Sequence, residues 1–192
     1  MAPEGAGIKG NPPYADDPSR DRYYIVPDGE AIDRNPRTEP QLSLSQKLTQ
    51  DPEKRKTLIK DATKVLEAEV DSKSGMSGLA VKGVFKVVKG LQPGFIPKAI
   101  DDLLDEFVQR VEPFYDQWNA DNENRDLRGH FVHHGSAVAD ALLGVTDERA
   151  KHSKHKKLVK AYEKLRPKGK EHVQAAMSRV GAMIDRQTAE YR

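Results

Sequence analysis

Apolar residues recur at steps of three and four positions along most of this chain, from residue 44 to residue 184. This spacing places them on one face of an α-helix, with charged residues on the opposite face. Alternation with a period of two, which is typical of strands, never extends beyond a few residues. The pattern predicts an all-α body, a compact bundle of about six or seven helices, over residues 44–49, 52–70, 76–91, 97–118, 131–145, 146–165 and 167–184.

Local motifs indicate where several of these helices begin. Ser43 and Gln46 have the spacing of a capping box, in which each side chain bonds the other residue's backbone N–H. Asp51 before Pro52 supplies an N-cap and a proline at the first helical position, where its missing N–H costs nothing. Residues 146–148 (Thr-Asp-Glu) predict a cap for the helix that follows them.

Two helices have unusual sequences. In the segment 76–91 Val81 and Phe85 widen the apolar stripe, so we expect this helix to be the most buried. The segment 97–118 contains Pro113 within an unbroken apolar seam. Because a proline ring clashes with the preceding helical turn, Pro113 is expected to kink or split that helix.

The first 41 residues differ in composition from the body at 42–192. Seven of the twelve prolines lie in residues 1–40, with four glycines and almost no aliphatic side chains. Such a segment buries too little apolar surface to offset the entropy of ordering its backbone. We expect an extended tail that is either disordered or wrapped around a partner. Its candidate partner-binding anchors, of the kind that extended peptides place in a groove, are Tyr14, Tyr23, Tyr24, Ile25 and Val26.

The net charge of +2 conceals an uneven distribution of charge along the chain. Residues 1–40 have a net charge of −3 and residues 41–148 a net charge of −4, whereas residues 149–170 have a net charge of +9. Like charges at this density repel one another, and a polyanion relieves that repulsion. Besides Arg149, the anion-binding candidates in this basic stretch are Lys151, Lys154, Lys156, Lys157, Lys160, Lys164, Arg166, Lys168 and Lys170.

Three kinds of partner remain possible for the basic stretch. Nucleic acid or the ribosome is one, although Tyr162 is the only aromatic residue there and its spacing marks it as a core residue. An acidic protein or a membrane surface is another. The third is a solvated face whose lysines pair with acids of the tail or of another subunit.

Composition excludes several classes of site. The chain has no cysteine, which excludes disulfides, thiolate nucleophiles, Cys-ligated zinc and iron–sulfur clusters. No apolar run approaches the length of about 20 residues that spans a bilayer. The N-terminal residues have neither the basic start nor the apolar centre of a signal peptide, so we expect a cytoplasmic protein.

The histidines of residues 129–136 are the one catalytic-looking group. His130 and His134 lie four residues apart, so they share a helix face and could chelate a divalent metal. The glutamate of an HExxH motif is absent, because Phe131 occupies its position. A third ligand would have to come from His152, His155 or Asp140. A structural pair, with one histidine packed and one in water, is the alternative.

No nucleophile elbow, phosphate loop or other catalytic motif is recognisable, so we predict no catalytic residues, no cofactor and no enzymatic activity. A helical fold with one strongly apolar helix could enclose a small apolar ligand. The side chains expected to line such a pocket, or else to form ordinary core packing, are Val84, Phe85, Val88, Phe107 and Phe114.

Several blocks of the body resemble a known family. They are SLSQKL at 43–48, EAEVDSKSGMSGLAVKGVFKVVKGLQPG from Glu67, the LL…F…PFYDQW pattern ending at Trp118, VADALLGVTDERA at 138–150 and YEKLRPKGKEHV from Tyr162. In this order they resemble a small all-helical, largely actinobacterial family labelled as a domain of unknown function, over residues 42 to about 185. The resemblance implies a compact helical domain and assigns no functional residues, and the tail is not part of it.

Three functional hypotheses follow. The first is a non-catalytic helical binding or accessory protein, a component of a larger assembly that docks through its tail. The second is an RNA- or ribosome-associated factor that uses residues 149–170. The third is a helical protein that binds a metal ion or a small apolar ligand.

Overall fold

A computed structural model describes residues 23–25, 31–33, 42–121 and 126–191 of the chain. The chain divides into two units, residues 1–41 and residues 42–192. In the first unit, strand β1 (Tyr23–Ile25) pairs antiparallel with strand β2 (Ala31–Asp33).

The described part of the second unit is all-α, as predicted. Its eight α-helices are α1 (Leu44–Thr49), α2 (Pro52–Ser72), α3 (Gly75–Lys89), α4 (Phe95–Ala120), α5 (Leu127–His133), α6 (Gly135–His152), α7 (Lys156–Leu165) and α8 (Gly169–Thr188). Among these described helices, none has the length and hydropathy needed to cross a bilayer.

The predicted caps of α1 and α2 are confirmed. The Ser43 hydroxyl accepts a hydrogen bond from the Gln46 backbone N–H at 3.1 Å, and Gln46 Oε1 accepts one from the Ser43 N–H at 2.9 Å. The Asp51 carboxylate accepts from the Glu53 N–H at 2.8 Å, with Pro52 at the first helical position. These short-range bonds satisfy backbone donors that a helix leaves unpaired at its start.

Helix α4 continues through Pro113, so of the two expected effects of this proline the split does not occur; Val111 and Tyr115 on either side of it are buried in the core. Two predicted boundaries are wrong. Residue 146 lies inside α6, where the Thr146 hydroxyl donates to the Leu143 carbonyl at 2.9 Å. The single helix expected to begin near Phe131 is instead two helices, α5 and α6, which meet at His134.

The core lies where α1, α2, α4, α5, α6 and α8 pack together. Helices α4 and α8 supply the largest shares of its buried side chains, which are Leu44, Leu48, Leu58, Leu104, Val108, Val111, Tyr115, Leu127, Phe131, Val138, Met177, Met183 and Ile184. Helices α3 and α7 contribute none of these residues. They pack against each other at the edge of this core.

The prediction that the segment 76–91 forms the most buried helix is wrong. Helix α3 buries Gly78, Val81 and Val84. The side chains of Met76 and Leu79 are 84% and 67% exposed. One face of α3, with Val81 and Val84, packs on α2, α4 and α7, whereas Met76, Leu79 and Val87 lie on the opposite side, in solvent.

Candidate functional site

An apolar cavity of about 530 Å³ lies between the core and the pair of helices α3 and α7. Helix α3 provides one wall through Val81, Val84, Phe85 and Val88. Helices α1, α2, α4, α6, α7 and α8 provide the others, and Leu66, which is 37% exposed, lies where the lining reaches the surface. The volume falls within the range of about 300–1,000 Å³ that is typical of small-molecule sites.

Part of the facing walls consists of short side chains. Helix α2 contributes Ala62 and Val65, and helix α8 contributes Val173, Ala176 and Val180, beside longer side chains of the same helices such as Leu66 and Met177. Valine and alanine reach less far from the helix axis than leucine or phenylalanine, so these positions leave space for a ligand.

The cavity brings together four of the five side chains for which the sequence left open an apolar pocket or ordinary core packing. Val84, Phe85, Val88 and Phe107 all line it. Phe114 does not. Its ring lies about two turns farther along α4 than that of Phe107, 6.1 Å from the ring of His134. Sequence reasoning missed the contributions of α2 and α8, although their runs of valine and alanine at helical spacing are visible in the sequence.

A network of polar bonds at the cavity edge fastens α7 to α6. The Asp147 carboxylate accepts hydrogen bonds from Arg166 Nε at 2.7 Å, from Arg166 Nη2 at 2.8 Å and from the Tyr162 hydroxyl at 2.5 Å. The Arg166 guanidinium, followed by the Tyr162 hydroxyl, lowers the pKa of Asp147 to about 2. Asp147, expected from the sequence to cap a helix, instead joins two helices.

A buried carboxylate in the lining is paired on both of its oxygens. The Glu69 side chain is 8% exposed and accepts a hydrogen bond from Lys73 Nζ at 3.0 Å. Its second oxygen accepts from Arg179 of α8. His172, also in the lining, is hydrogen-bonded to the Ser77 hydroxyl of α3 at 3.3 Å, and burial lowers its pKa. The ionisable groups of the lining are thus already partnered within the protein.

The basic stretch 149–170 is partly neutralised by the helical body itself. Arg149 pairs with Glu106 of α4, and Lys151 pairs with Glu148 at 2.5 Å. Lys170 bonds Asp140 at 2.6 Å, in addition to the Arg166–Asp147 pair. Within the described ranges, no ion pair is formed by Lys154, Lys156, Lys157, Lys160, Lys164 or Lys168.

Three of these lysines border a second concavity, of about 810 Å³. Lys154, Lys156 and Lys157 line it together with Phe95 at the start of α4 and Leu158 of α7. The acid Asp102 also faces this space. The mixture of apolar, basic and acidic side chains does not define one class of ligand.

The histidines of α5 and of its junction with α6 cluster beside α4. The ring centroids of His130 and His134 lie 4.4 Å apart, and those of His133 and His134 lie 4.8 Å apart. His130 is 5% exposed, its Nε2 has no hydrogen-bond partner among the described residues, and burial followed by the nearby His134 lowers its pKa. Over the parts of the chain that the structure describes, no group of three or more His, Asp or Glu residues could hold a metal ion.

The proposed tail anchors fall in the first unit. Tyr23, Tyr24 and Ile25 form strand β1, where Tyr24 is opposite Ile32. Tyr14 and Val26 lie outside the described residues. The structure therefore gives backbone pairing for three of these five residues.

Comparison with known proteins identifies the helical unit without assigning it an activity. No match was found among curated proteins or among solved structures. The family of unknown function DUF6918 matches residues 44–188, which span all eight α-helices. This match confirms the resemblance seen in the sequence blocks from residue 42 to about 185, and the chain belongs to the DUF6918 family.

Proposed function

We propose that this protein is a non-catalytic binding protein whose helical unit holds a small apolar ligand in the cavity beneath α3 and α7. The observation that carries this proposal is the cavity itself, about 530 Å³ in volume and lined almost wholly by aliphatic and aromatic side chains. Burying apolar ligand surface against such walls contributes about 25 cal/mol per Å².

The state of the polar lining groups supports an uncharged ligand. Glu69 is paired with Lys73 and Arg179, and Arg166 is paired with Asp147. A charged ligand would have to displace one of these partners and leave a buried charge unpaired, which is costly. A neutral hydrocarbon-like group requires no such exchange.

Binding of a neutral fluorescent probe, N-phenyl-1-naphthylamine, tests the proposal. We expect saturable binding with a stoichiometry of one. At a ligand concentration of about 100 times Kd, ligand binding stabilises the folded state by about 2.7 kcal/mol. For a domain of this size this corresponds to a rise in Tm of roughly 5–11 °C.

Two neighbouring alanines of α8 provide a matched pair of variants. Ala176 lines the cavity, whereas Ala175 is exposed. Ala176→Phe should fill part of the cavity and weaken probe binding by roughly tenfold or more, which is about 1.4 kcal/mol. Ala175→Phe should leave binding unchanged.

A third variant tests the cavity independently in case Ala176→Phe does not fold. Val88→Phe fills the cavity from α3, outside the main core, and should also weaken probe binding while helical circular dichroism is retained. Equal probe affinity in the parent protein, Ala176→Phe and Val88→Phe, all folded, would contradict the proposal.

A further inference from the structure

The outer face of α3 carries a stripe of apolar side chains in solvent. Met76, Leu79 and Val87 are 84%, 67% and 56% exposed. With the exposed Gly83 they lie at helical steps of three and four, which places them on one face of α3. Soluble proteins expose single apolar residues routinely, but an aligned group on one helix indicates an interaction surface.

Lysines flank this apolar stripe along one side. Lys82, Lys86 and Lys89 are exposed, and α3 contains no acidic residue. Lys89 is bonded to Glu67 of α2 at 3.0 Å. A helix with an apolar face bordered by lysines matches the composition of helices that lie in the interfacial region of a membrane.

Helix α7 extends the positive charge next to α3, against which it packs. It exposes Lys156, Lys157, Lys160 and Lys164, against the single acid Glu163. Together α3 and α7 have seven lysines and one glutamate. The positive charge of these two helices is complementary to a surface of anionic lipid headgroups.

We propose that α3, supported by the lysines of α7, docks this protein on an anionic lipid surface. The apolar stripe enters the boundary between headgroups and acyl chains, and the lysine stems lie along that boundary with their ammonium groups at the phosphates. Nucleic acid is a poorer fit. The exposed stripe offers aliphatic side chains and no aromatic residue on which a base could stack.

This surface is distinct from the proposed ligand cavity, although both involve α3. The cavity is lined by Val81, Val84, Phe85 and Val88 on the inner side of the helix. The docking surface is the outer side. The two proposals can therefore fail independently. Absence of vesicle binding would not contradict probe binding in the cavity, and absence of probe binding would not contradict vesicle binding by the outer face of α3.

Co-sedimentation with lipid vesicles tests the proposal on the full chain. We expect the protein to bind vesicles of phosphatidylcholine mixed with phosphatidylglycerol and to bind phosphatidylcholine vesicles weakly. High salt should reduce the binding, because surface charge is screened within a Debye length. Equal sedimentation with both kinds of vesicle would overturn the proposal.

Two double variants separate the apolar and charged contributions. Leu79→Ser with Val87→Ser should reduce binding to the mixed vesicles by roughly tenfold or more, since each side chain loses buried area. Lys82→Gln with Lys86→Gln should reduce it by about 25-fold, at roughly five-fold per lysine near the surface. Both pairs are exposed, so helical circular dichroism should not change.

Matched controls lie elsewhere on the helical unit. Val132→Ser removes an exposed apolar side chain of α5, and Lys56→Gln with Lys60→Gln removes two exposed lysines of α2. These controls should sediment like the parent. Losses in the controls as large as in the α3 variants would overturn the proposal. It would also be overturned if added RNA displaced the vesicles equally from the parent and from the Leu79/Val87 variant, because binding would then depend on charge and not on the apolar stripe. A Leu79/Val87 variant that binds vesicles like the parent but no longer self-associates would also overturn the proposal, because the stripe would then contact a second copy of the chain.

Discussion

Gly181 lies where α8 crosses α5 at very short distance. A Cβ atom at this position would stand 2.8 Å from Cα of Arg128 and 3.1 Å from Cβ of Phe131. The first of these contacts is with backbone, which no change of side-chain rotamer can relieve. Gly181→Ala must therefore push α5 away from α8, and with it the buried Phe131 and His130.

The expected magnitude follows from two opposing effects. Overpacking of a core contact costs about 1–3 kcal/mol, and the rigid backbone neighbour places this case at the upper end. Alanine in place of glycine inside a helix raises the free energy of unfolding by up to about 1 kcal/mol. We expect a net loss of roughly 2 kcal/mol in the free energy of unfolding, and a fall in Tm of about 4–8 °C.

A second glycine supplies the control. Gly144 is an exposed residue inside α6, and nothing lies within 4 Å of a Cβ added there. Gly144→Ala should raise the free energy of unfolding by roughly 0.5–1 kcal/mol. Urea unfolding followed by circular dichroism measures both variants. If Gly181→Ala is as stable as Gly144→Ala, the two helices do not approach as described, and the reasoning is refuted.

Three further predictions concern charge and the tail. Asp147→Asn should cost roughly 1 kcal/mol at neutral pH, once the pKa depression is discounted for partial solvent exposure. Because the Asp147 pKa is depressed to about 2, this stabilisation is present above the ordinary value of 3.8 and lost as pH falls towards 2, so the urea midpoints of parent and variant should converge there. The pKa of His130 is lowered, so its contribution to the stability of the folded state is full above its ordinary pKa and falls as pH drops below that value. His130→Leu should therefore reduce the loss of Tm on acidification, while His172, whose pKa is also lowered, should still cause part of that loss. An unchanged slope of Tm against pH would contradict this. Deletion of residues 1–40 should leave the melting of the helical unit intact while it abolishes recovery of a protein partner in a pull-down from the native cell; undiminished recovery would refute the docking-arm hypothesis.

Features that depend on neighbouring positions in the chain were predictable from the sequence. The capping box of Ser43 and Gln46 and the start of α2 at Asp51 each depend on atoms within three residues of one another. Pro113 shows where such local reasoning ends. Its intrinsic tendency to break a helix is overcome because Val111 and Tyr115 are held in the core by other helices.

The candidate site was predictable in part. The four apolar residues Val84, Phe85, Val88 and Phe107 line the cavity, and their spacing indicated either a common pocket or ordinary core packing. The opposite wall, made by α2 and α8, depends on which helices meet, and the spacing within one helix does not contain that information. Asp147 illustrates the same limit, because its partners Tyr162 and Arg166 lie 15 and 19 residues away.

The sequence by itself determined that the body is all-α, where several of its helices begin, and that positive charge concentrates at 149–170. Periodicity and capping are local, so the chain encodes them directly. Only the tertiary structure decided that α3 lies at the edge with an apolar stripe in solvent, and that acids of α4 and α6 neutralise part of the basic stretch. Those outcomes depend on contacts between residues far apart in sequence, because each helix can cover only the faces that its neighbours leave open.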